Sequence, residues 1–436
     1  ATSTQTSLTK EQKQAVGLLS IGTFLEYFDL MLYVHMAVLL NELFFPKTDP
    51  SIQTILAAFA FCSTYALRPF GALIFGYIGD NYGRKPTFIL TTLIMAICCC
   101  GIVILPTYNQ IGISAAIIVS ILRIVQGMSS MGEIMGAKIY LSEITKPPSQ
   151  YALVSSIAIA SSVGSMAALA VASITLKTNF NWRYAFAFGM VIALIGTAAR
   201  SKLHETPEFA NAKQRLKNML EKVQEYGYKG DINKIMSGPV LHKKIPLKDF
   251  FNFFCIYCGW PLSFYLIYIY FTPILKTSCG YTSEDVIFHN LIVSIVQIFV
   301  AIGLTVLSTR IYPLLILKIS SVCFFFILVL IPIIANTNLN NYKIFAIQTL
   351  LTVFCLKSVP ADAIFIKYFP VFKRFTAVTF GYALSRAIMY ILISFGLVYL
   401  TEWFGYYGIW VIAFPVTFFW TKSVYYYESL DRDKTT

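Results

Sequence analysis

GYIGDNYGRKPTFILTTLIMAICCCGIVILP, residues 76–106, carries two signals in succession. Its second part, residues 87–106, holds no charge. A helix rises about 1.5 Å per residue, so about 20 such residues cross a hydrocarbon core of about 30 Å. Its first part is a short turn with glycine at 76, 79 and 83 and the basic pair Arg84-Lys85. A long apolar segment leaving a basic turn reads as a membrane helix. Similar blocks fall at 15–39, 52–78, 111–140, 151–175, 182–199, 249–275, 285–307, 312–335, 342–366, 375–400 and 405–426. The whole chain agrees: 57% of its 436 residues are hydrophobic and 13% charged, whereas a soluble domain carries about 25% charged residues. The pattern predicts an all-α membrane protein of twelve transmembrane helices.

Charge orients these spans. Lys10, Lys13, Arg84, Lys85, Lys146, Arg310, Lys367, Lys373 and Arg374 fall in one alternate set of loops; Lys47, Lys177, Arg183, Lys276 and Lys343 stand nearly alone in the other. The positive-inside rule assigns the first set, and both termini, to the cytoplasm. The net charge of +13 is thereby a topology signal, and no nucleic-acid partner is expected. Between Arg200 and Lys248 lies the one long polar stretch, with eleven Lys/Arg against five Asp/Glu. It divides the chain into a six-helix half at 1–199, a cytoplasmic linker with a surface helix at 200–248, and a second six-helix half at 249–436. The polar first residues hold no apolar signal-peptide core, so the first span is expected to act as the export signal. Cys255 and Cys258 form a CxxC on an apolar helix with no second ligand pair, which favours packing over metal or redox chemistry. Trp182, Trp403 and Trp420 are expected at the interfacial belt.

The 76–86 turn resembles the signature loop G-x-x-x-D-x-x-G-R-[RK] of the major facilitator superfamily, with Gly76, Asp80, Gly83, Arg84 and Lys85 at its key positions. Span four adds Arg123-Ile124-Val125-Gln126-Gly127, similar to the family's R-x-x-Q-G. The resemblance implies a major facilitator fold of two six-helix halves, with Glu143 pairing Arg84 in a cytoplasmic gate. The second-half counterpart, Leu307 to Tyr312, lacks the aspartate, so a lopsided latch is expected. Gly22 to Asp29, Arg68-Pro69-Phe70-Gly71, Glu205-Thr206-Pro207-Glu208-Phe209 and Tyr368-Phe369-Pro370 resemble the metabolite:proton symporter family. That group includes carriers of proline/betaine, α-ketoglutarate, citrate and shikimate. The resemblance implies proton-coupled import in a bacterial inner membrane, with zwitterions of the proline/betaine type as the first expectation. Residues 427–436, after the last expected span, carry no heptad pattern.

Ionisable groups at bilayer depth are costly and mark transport pathways. Glu26 and Asp29, three apart, share one helix face. Asp29 is the first candidate proton carrier, Glu26 the second and Glu133 their rival, the alternative being structural pairing with Arg68 or Arg123. Arg123, Gln126, Ser130 and Glu133 form one polar stripe along span four, which Lys138 continues. Solute-binding candidates are Arg68, Arg123, Gln126, Tyr33, Tyr265, Lys357, Asp362 and Arg386. Tyr265, Tyr268, Tyr270 and Trp260 could cage a quaternary ammonium. Lys357 and Arg386 make the cavity more positive than a betaine site requires, which keeps an organic-anion symporter in play. A drug exporter and a non-transporting sensor are further alternatives. The expected partners are a small solute, protons and membrane lipid, with the chain monomeric. No catalytic residue, metal or cofactor is expected; the proton gradient is the energy source.

Overall fold

The computed structural model describes residues 5, 7–36, 40, 43–45, 65–178, 181–225, 244–337 and 340–435. Among them the chain is helical, and the bridge between Gln5 and Pro148 is the sole extended pairing.

The first half holds α1 (Lys10–His35), α2 (Arg68–Asn81), α3 (Arg84–Ile104), α4 (Ile113–Ser129), α5 (Met131–Ile144), α6 (Ser149–Thr178) and α7 (Trp182–Arg200). α4 and α5 together form one span broken at Ser130. The linker helix α8 is Pro207–Glu225. The second half holds α9 (Leu247–Phe264), α10 (Thr272–Ser278), α11 (Ser283–Leu307), α12 (Pro313–Ala335), α13 (Asn341–Phe354), α14 (Asp362–Ile366), α15 (Val371–Ile391), α16 (Leu397–Phe404) and α17 (Ile409–Thr435).

Local chemistry sets several of these boundaries. Thr9 Oγ1 accepts the Gln12 N–H at 3.2 Å while Gln12 Oε1 accepts the Thr9 N–H at 3.1 Å, a capping box that starts α1. Thr282 and Asp285 do the same for α11. Pro261 inside α9 has no N–H to donate, and a π-turn follows at Tyr265–Ile269.

Among the described residues, eight helices are long and apolar enough to cross a membrane, and Trp182–Ala198 is a shorter apolar helix. Their outer faces carry large apolar side chains such as Ile97, Phe299 and Phe326, each at least 60% exposed. Such a surface suits lipid. The first part of the expected second span, residues 52–64, lies outside the described residues. Trp403 is exposed, but Trp420 is fully buried and Trp182 nearly so; packing, not the interface, holds these two.

The expected tenth span is not one helix. α13 ends at Phe354, residues 355–361 are non-helical, and α14 resumes at Asp362. Pro360 cannot donate and disfavours helix at Val359. The exposed N–H of Leu356 is met by Ser263 Oγ at 3.0 Å, so the break is buried in protein, as a membrane interior requires.

The halves meet where α2 lies along α15 and α6 along α11. At the end that carries the 76–86 turn, a β-carbon on Gly76 would stand 2.7 Å from Thr376 Cα, so this crossing needs glycine. One buried apolar cluster there includes Met135 and Phe88 from the first half and Phe253 and Phe375 from the second.

Candidate functional site

Buried polar residues form three groups, one at the 76–86 end, one around a central cavity and one in a small pocket beside that cavity. The first joins the halves. Arg84, fully buried, donates from Nε and Nη2 to the two oxygens of Glu143 at 3.2 and 2.8 Å. It also donates to the carbonyls of Gly79 at 2.7 Å and Val371 at 3.0 Å, the latter in the other half. Asp80 accepts the backbone N–H groups of Phe375 and Thr376, both at 2.9 Å. Arg374 donates to Glu143 at 3.0 Å and to Glu208 at 3.1 Å. The linker seals the group: Glu205 accepts the N–H groups of Arg84 and Lys85 at 3.0 and 3.3 Å, and Thr206 Oγ1 donates to Glu143 at 2.6 Å. Gly83, at φ 125°, sits where a β-carbon would be 2.2 Å from Glu205. The sequence reading named Gly76, Asp80, Gly83, Arg84, Lys85 and Glu143 for this gate. Arg374, Glu205, Thr206 and Glu208 join this group only through the tertiary fold, which brings the linker and α15 against Glu143 and the 83–85 turn.

Above the gate is a central cavity of about 320 Å³ between the halves, within the range of small-molecule sites. Of the proposed solute ligands, Arg68, Lys357 and Arg386 line it. Each arginine lies on a tyrosine of its own half that meets a tyrosine of the other. The Arg68 guanidinium is 4.5 Å from the Tyr65 ring, whose centroid is 4.4 Å from that of Tyr390. Arg386 is 4.7 Å from the Tyr382 ring, and Tyr382 meets Tyr27 hydroxyl to hydroxyl at 3.3 Å. Arg68 Nε and both Nε and Nη1 of Arg386 are buried without hydrogen-bond partners. No carboxylate lines this cavity among the described residues. Trp260, Phe264 and Tyr268 form an aromatic wall, while Tyr265 and Tyr270 are not in the lining.

Beside the cavity, inside the first half, is a pocket of about 10 Å³ lined by Glu26, Asp29, Arg68, Arg123 and Gln126 among others. Asp29 Oδ2 accepts from Cys99 Sγ at 2.9 Å and from Gln126 Nε2 at 3.2 Å. Arg123 donates to Gln126 Oε1 at 2.6 Å and lies 4.0 Å over the Tyr33 ring. Arg123 thus reaches Asp29 through an amide, not by a direct ion pair. Glu26 Oε2 and Asp29 Oδ1 are buried without partners. Arg68 and Leu30 belong to the walls of both spaces.

The expected stripe on span four is divided. Glu133 lines neither space: Thr91 and Thr92 donate to its Oε1 at 2.7 and 2.8 Å, and Arg200 donates to its Oε2 at 2.5 Å. Arg200, read as the first residue of a cytoplasmic segment, is the fully buried end of α7. Lys138 leaves the stripe to pair with Asp362 across the halves at 2.7 Å. Asp362 is therefore beneath the cavity and outside its lining. Lys357 and Asp362 both fall in the one span expected at 342–366, but Lys357 lies within the non-helical segment and Asp362 begins α14. The side chain of His35 lies outside the described residues.

A family model described as the Major Facilitator Superfamily matches residues 19–389. The chain belongs to the Major Facilitator Superfamily. This facilitator is 28% identical over 386 residues to the proline/betaine transporter of Escherichia coli K12, covering 86% of this chain and 75% of that one. A putative proline/betaine transporter of Staphylococcus aureus COL is 34% identical over 210 residues, 46% of this chain and 45% of its own. Among solved structures, the proton:xylose symporter XylE bound to 6-bromo-6-deoxy-D-glucose superposes with a TM-score of 0.75 over 95% of both chains at 14% identity. The human organic anion transporter MFSD10 gives 0.66 over 95% of this chain and 100% of its own, also at 14% identity. At such identities these two likenesses establish the fold. The facilitator is a multi-pass membrane transporter and not an enzyme.

Proposed function

We propose that this facilitator is a proton-coupled symporter that imports a small carboxylate-bearing metabolite across a bacterial inner membrane by alternating access. The observation that carries the reading is the place of Arg68, whose guanidinium borders both the solute cavity and the Glu26–Asp29 pocket. With the pocket carboxylates ionised, Arg68 is held toward them electrostatically. A proton on Asp29 or Glu26 removes that attraction and frees the guanidinium for a solute carboxylate, with Arg386 and Lys357 supplied by the other half. Proton and solute binding thereby favour each other, which is what symport requires. The two halves then close over the cavity and part at the gate, around a site near the bilayer midplane. The gate end and both termini are assigned to the cytoplasm, as the loop charges require. A potential of ~150 mV is worth about 3.5 kcal/mol per net positive charge moved inward, which drives a zwitterion carried with one proton; a monoanion carried with one proton is electroneutral and draws on the pH gradient alone.

The cationic lining favours an organic anion such as a dicarboxylate. A zwitterion of the proline or betaine type is the second reading, supported by the names of the relatives and by the Trp260–Phe264–Tyr268 wall, suited to cation–π contact with an ammonium group. The test is uptake of labelled α-ketoglutarate, citrate, proline and betaine into proteoliposomes under an inward proton gradient, with and without a valinomycin-set potential. Accumulation of α-ketoglutarate or citrate supports the anion reading. Accumulation of proline or betaine that grows with interior-negative voltage moves the assignment to the zwitterion. Asp29→Asn is expected to abolish gradient-driven accumulation while leaving solute exchange intact. Well-folded protein that accumulates none of the four would overturn the symport reading for this panel.

A further inference from the structure

Lys138 on α5 and Asp362 on α14 form the charge pair that crosses between the halves at the cavity floor, with Nζ to Oδ2 at 2.7 Å. Both side chains are buried. The other Asp362 oxygen accepts from Tyr257 on α9 at 2.6 Å. The aspartate is thus fully partnered, and the lysine depends on it. The two members differ in access: Lys138 and Tyr257 line the cavity, and Asp362 does not. A solute settling on the floor meets the ammonium first.

Parting the halves at the gate end separates α5 from α14. Left alone, this would strand two bare charges in a low-dielectric interior, which is costly. Nothing in the gate below relieves that cost, because Arg84, Glu143, Arg374 and Asp80 use different partners. The groups facing Asp362 are few. α5 brings Lys138 and α9 brings Tyr257, whose ring packs on Tyr382 of α15 with centroids 5.5 Å apart. The segment leading into α14 brings Lys357, which faces the cavity. α17 places Tyr427 against Phe365, one turn away. α6, also packed on α14, carries no charged residue from Ser149 to Leu176, and Tyr151 lies in its first turn.

We propose that Asp362 and Lys138 are a second coupling pair: a solute carboxylate takes over Lys138, and Asp362 accepts a proton in exchange. One carboxylate and one proton enter together, so the floor stays electrically neutral throughout. Protonated Asp362 keeps its contact with Tyr257 as a neutral group, and the halves separate without a stranded charge. The proposal rests on the symport reading above and adds to it a proton acceptor in the second half, tied to the solute itself.

The test compares two measurements in proteoliposomes, with α-ketoglutarate as probe and proline in parallel. Counterflow exchanges labelled for unlabelled solute with no gradient, and pH-driven uptake requires the proton. Asp362→Asn should keep counterflow and lose gradient-driven accumulation. The double variant Lys138→Gln/Asp362→Asn, which removes both charges, should also fail to accumulate. Infrared difference spectra supply a second readout: solute should raise a protonated-carboxyl band that persists in Glu26→Gln/Asp29→Asn and is lost in Asp362→Asn. Accumulation by Asp362→Asn at the unaltered level, recovery of accumulation by the double variant, or absence of that band would each overturn the proposal. If the unaltered protein itself accumulates neither probe, the symport reading falls; if it accumulates a probe and one of those overturning results is found, only this inference is removed.

Discussion

The gate and the midplane are both buried, both charged, and built on opposite rules. At the gate every carboxylate and guanidinium is saturated: Glu143 alone receives Arg84, Arg374 and Thr206. Around the cavity, charged side chains are left short. Glu26, Asp29, Arg68, Arg123 and Arg386 each keep at least one buried polar atom without a partner, and no gate residue does. A buried ion left short is unfavourable unless a ligand completes it. The gate is thus a closed network, while the cavity region keeps buried polar atoms that, under the proposed function, solute and proton would complete.

Breaking the gate should have the larger effect. Arg84→Ala takes the bidentate partner from Glu143, leaving it Arg374 and Thr206, and should destabilise the gate-closed state by up to about 3–5 kcal/mol, the usual cost of removing one partner from a buried pair. Labelling of a cysteine placed at Thr376, beside Gly76, reads this as increased access in the gate-open state; unchanged labelling would mean that the linker and Arg374 suffice. Arg386→Ala, in contrast, should leave closure unaffected and weaken solute binding by about 1.5–3 kcal/mol, the range for a hydrogen bond to a charged group. That is a rise in half-saturation of roughly 10- to 100-fold, measured by uptake, with melting temperature as the control. The smallest effect belongs to Tyr27→Phe, which removes one neutral contact between the halves to Tyr382. It should shift half-saturation by less than about tenfold, in keeping with about 0.5–1.5 kcal/mol for such a bond. An effect as large as that of Arg386→Ala would show that the tyrosine pair, and not the arginine, controls access.

Much of the fold was legible because a membrane interior admits few solutions. Blocks of about 20 apolar residues must be helices when lipid offers no hydrogen bonds. The 76–86 turn pointed to the fold through its resemblance to the superfamily's signature loop, and its glycine at 76 is what the close helix crossing requires. Spacing also placed Glu26 and Asp29 together, since i and i+3 share a helix face whatever surrounds them. It failed where a helix was assumed to continue. Pro360 interrupts the tenth span, so Lys357 sits on the non-helical segment and not on the continuous helix expected at 342–366.

What sequence alone determined was local: helix, span, basic loop, and which residues share a face. Only tertiary structure decided partners. Glu133 and Asp29 looked alike as carboxylates buried in the first half, yet Arg200, 67 residues away in the chain, satisfies one, and the other keeps only a thiol and an amide. Lys138 finds Asp362 from 224 residues away. Helical periodicity fixes the direction of a side chain from its own axis, but carries no information about which distant helix will lie opposite. Whether a buried charge is closed off or left available depends on that opposite face alone.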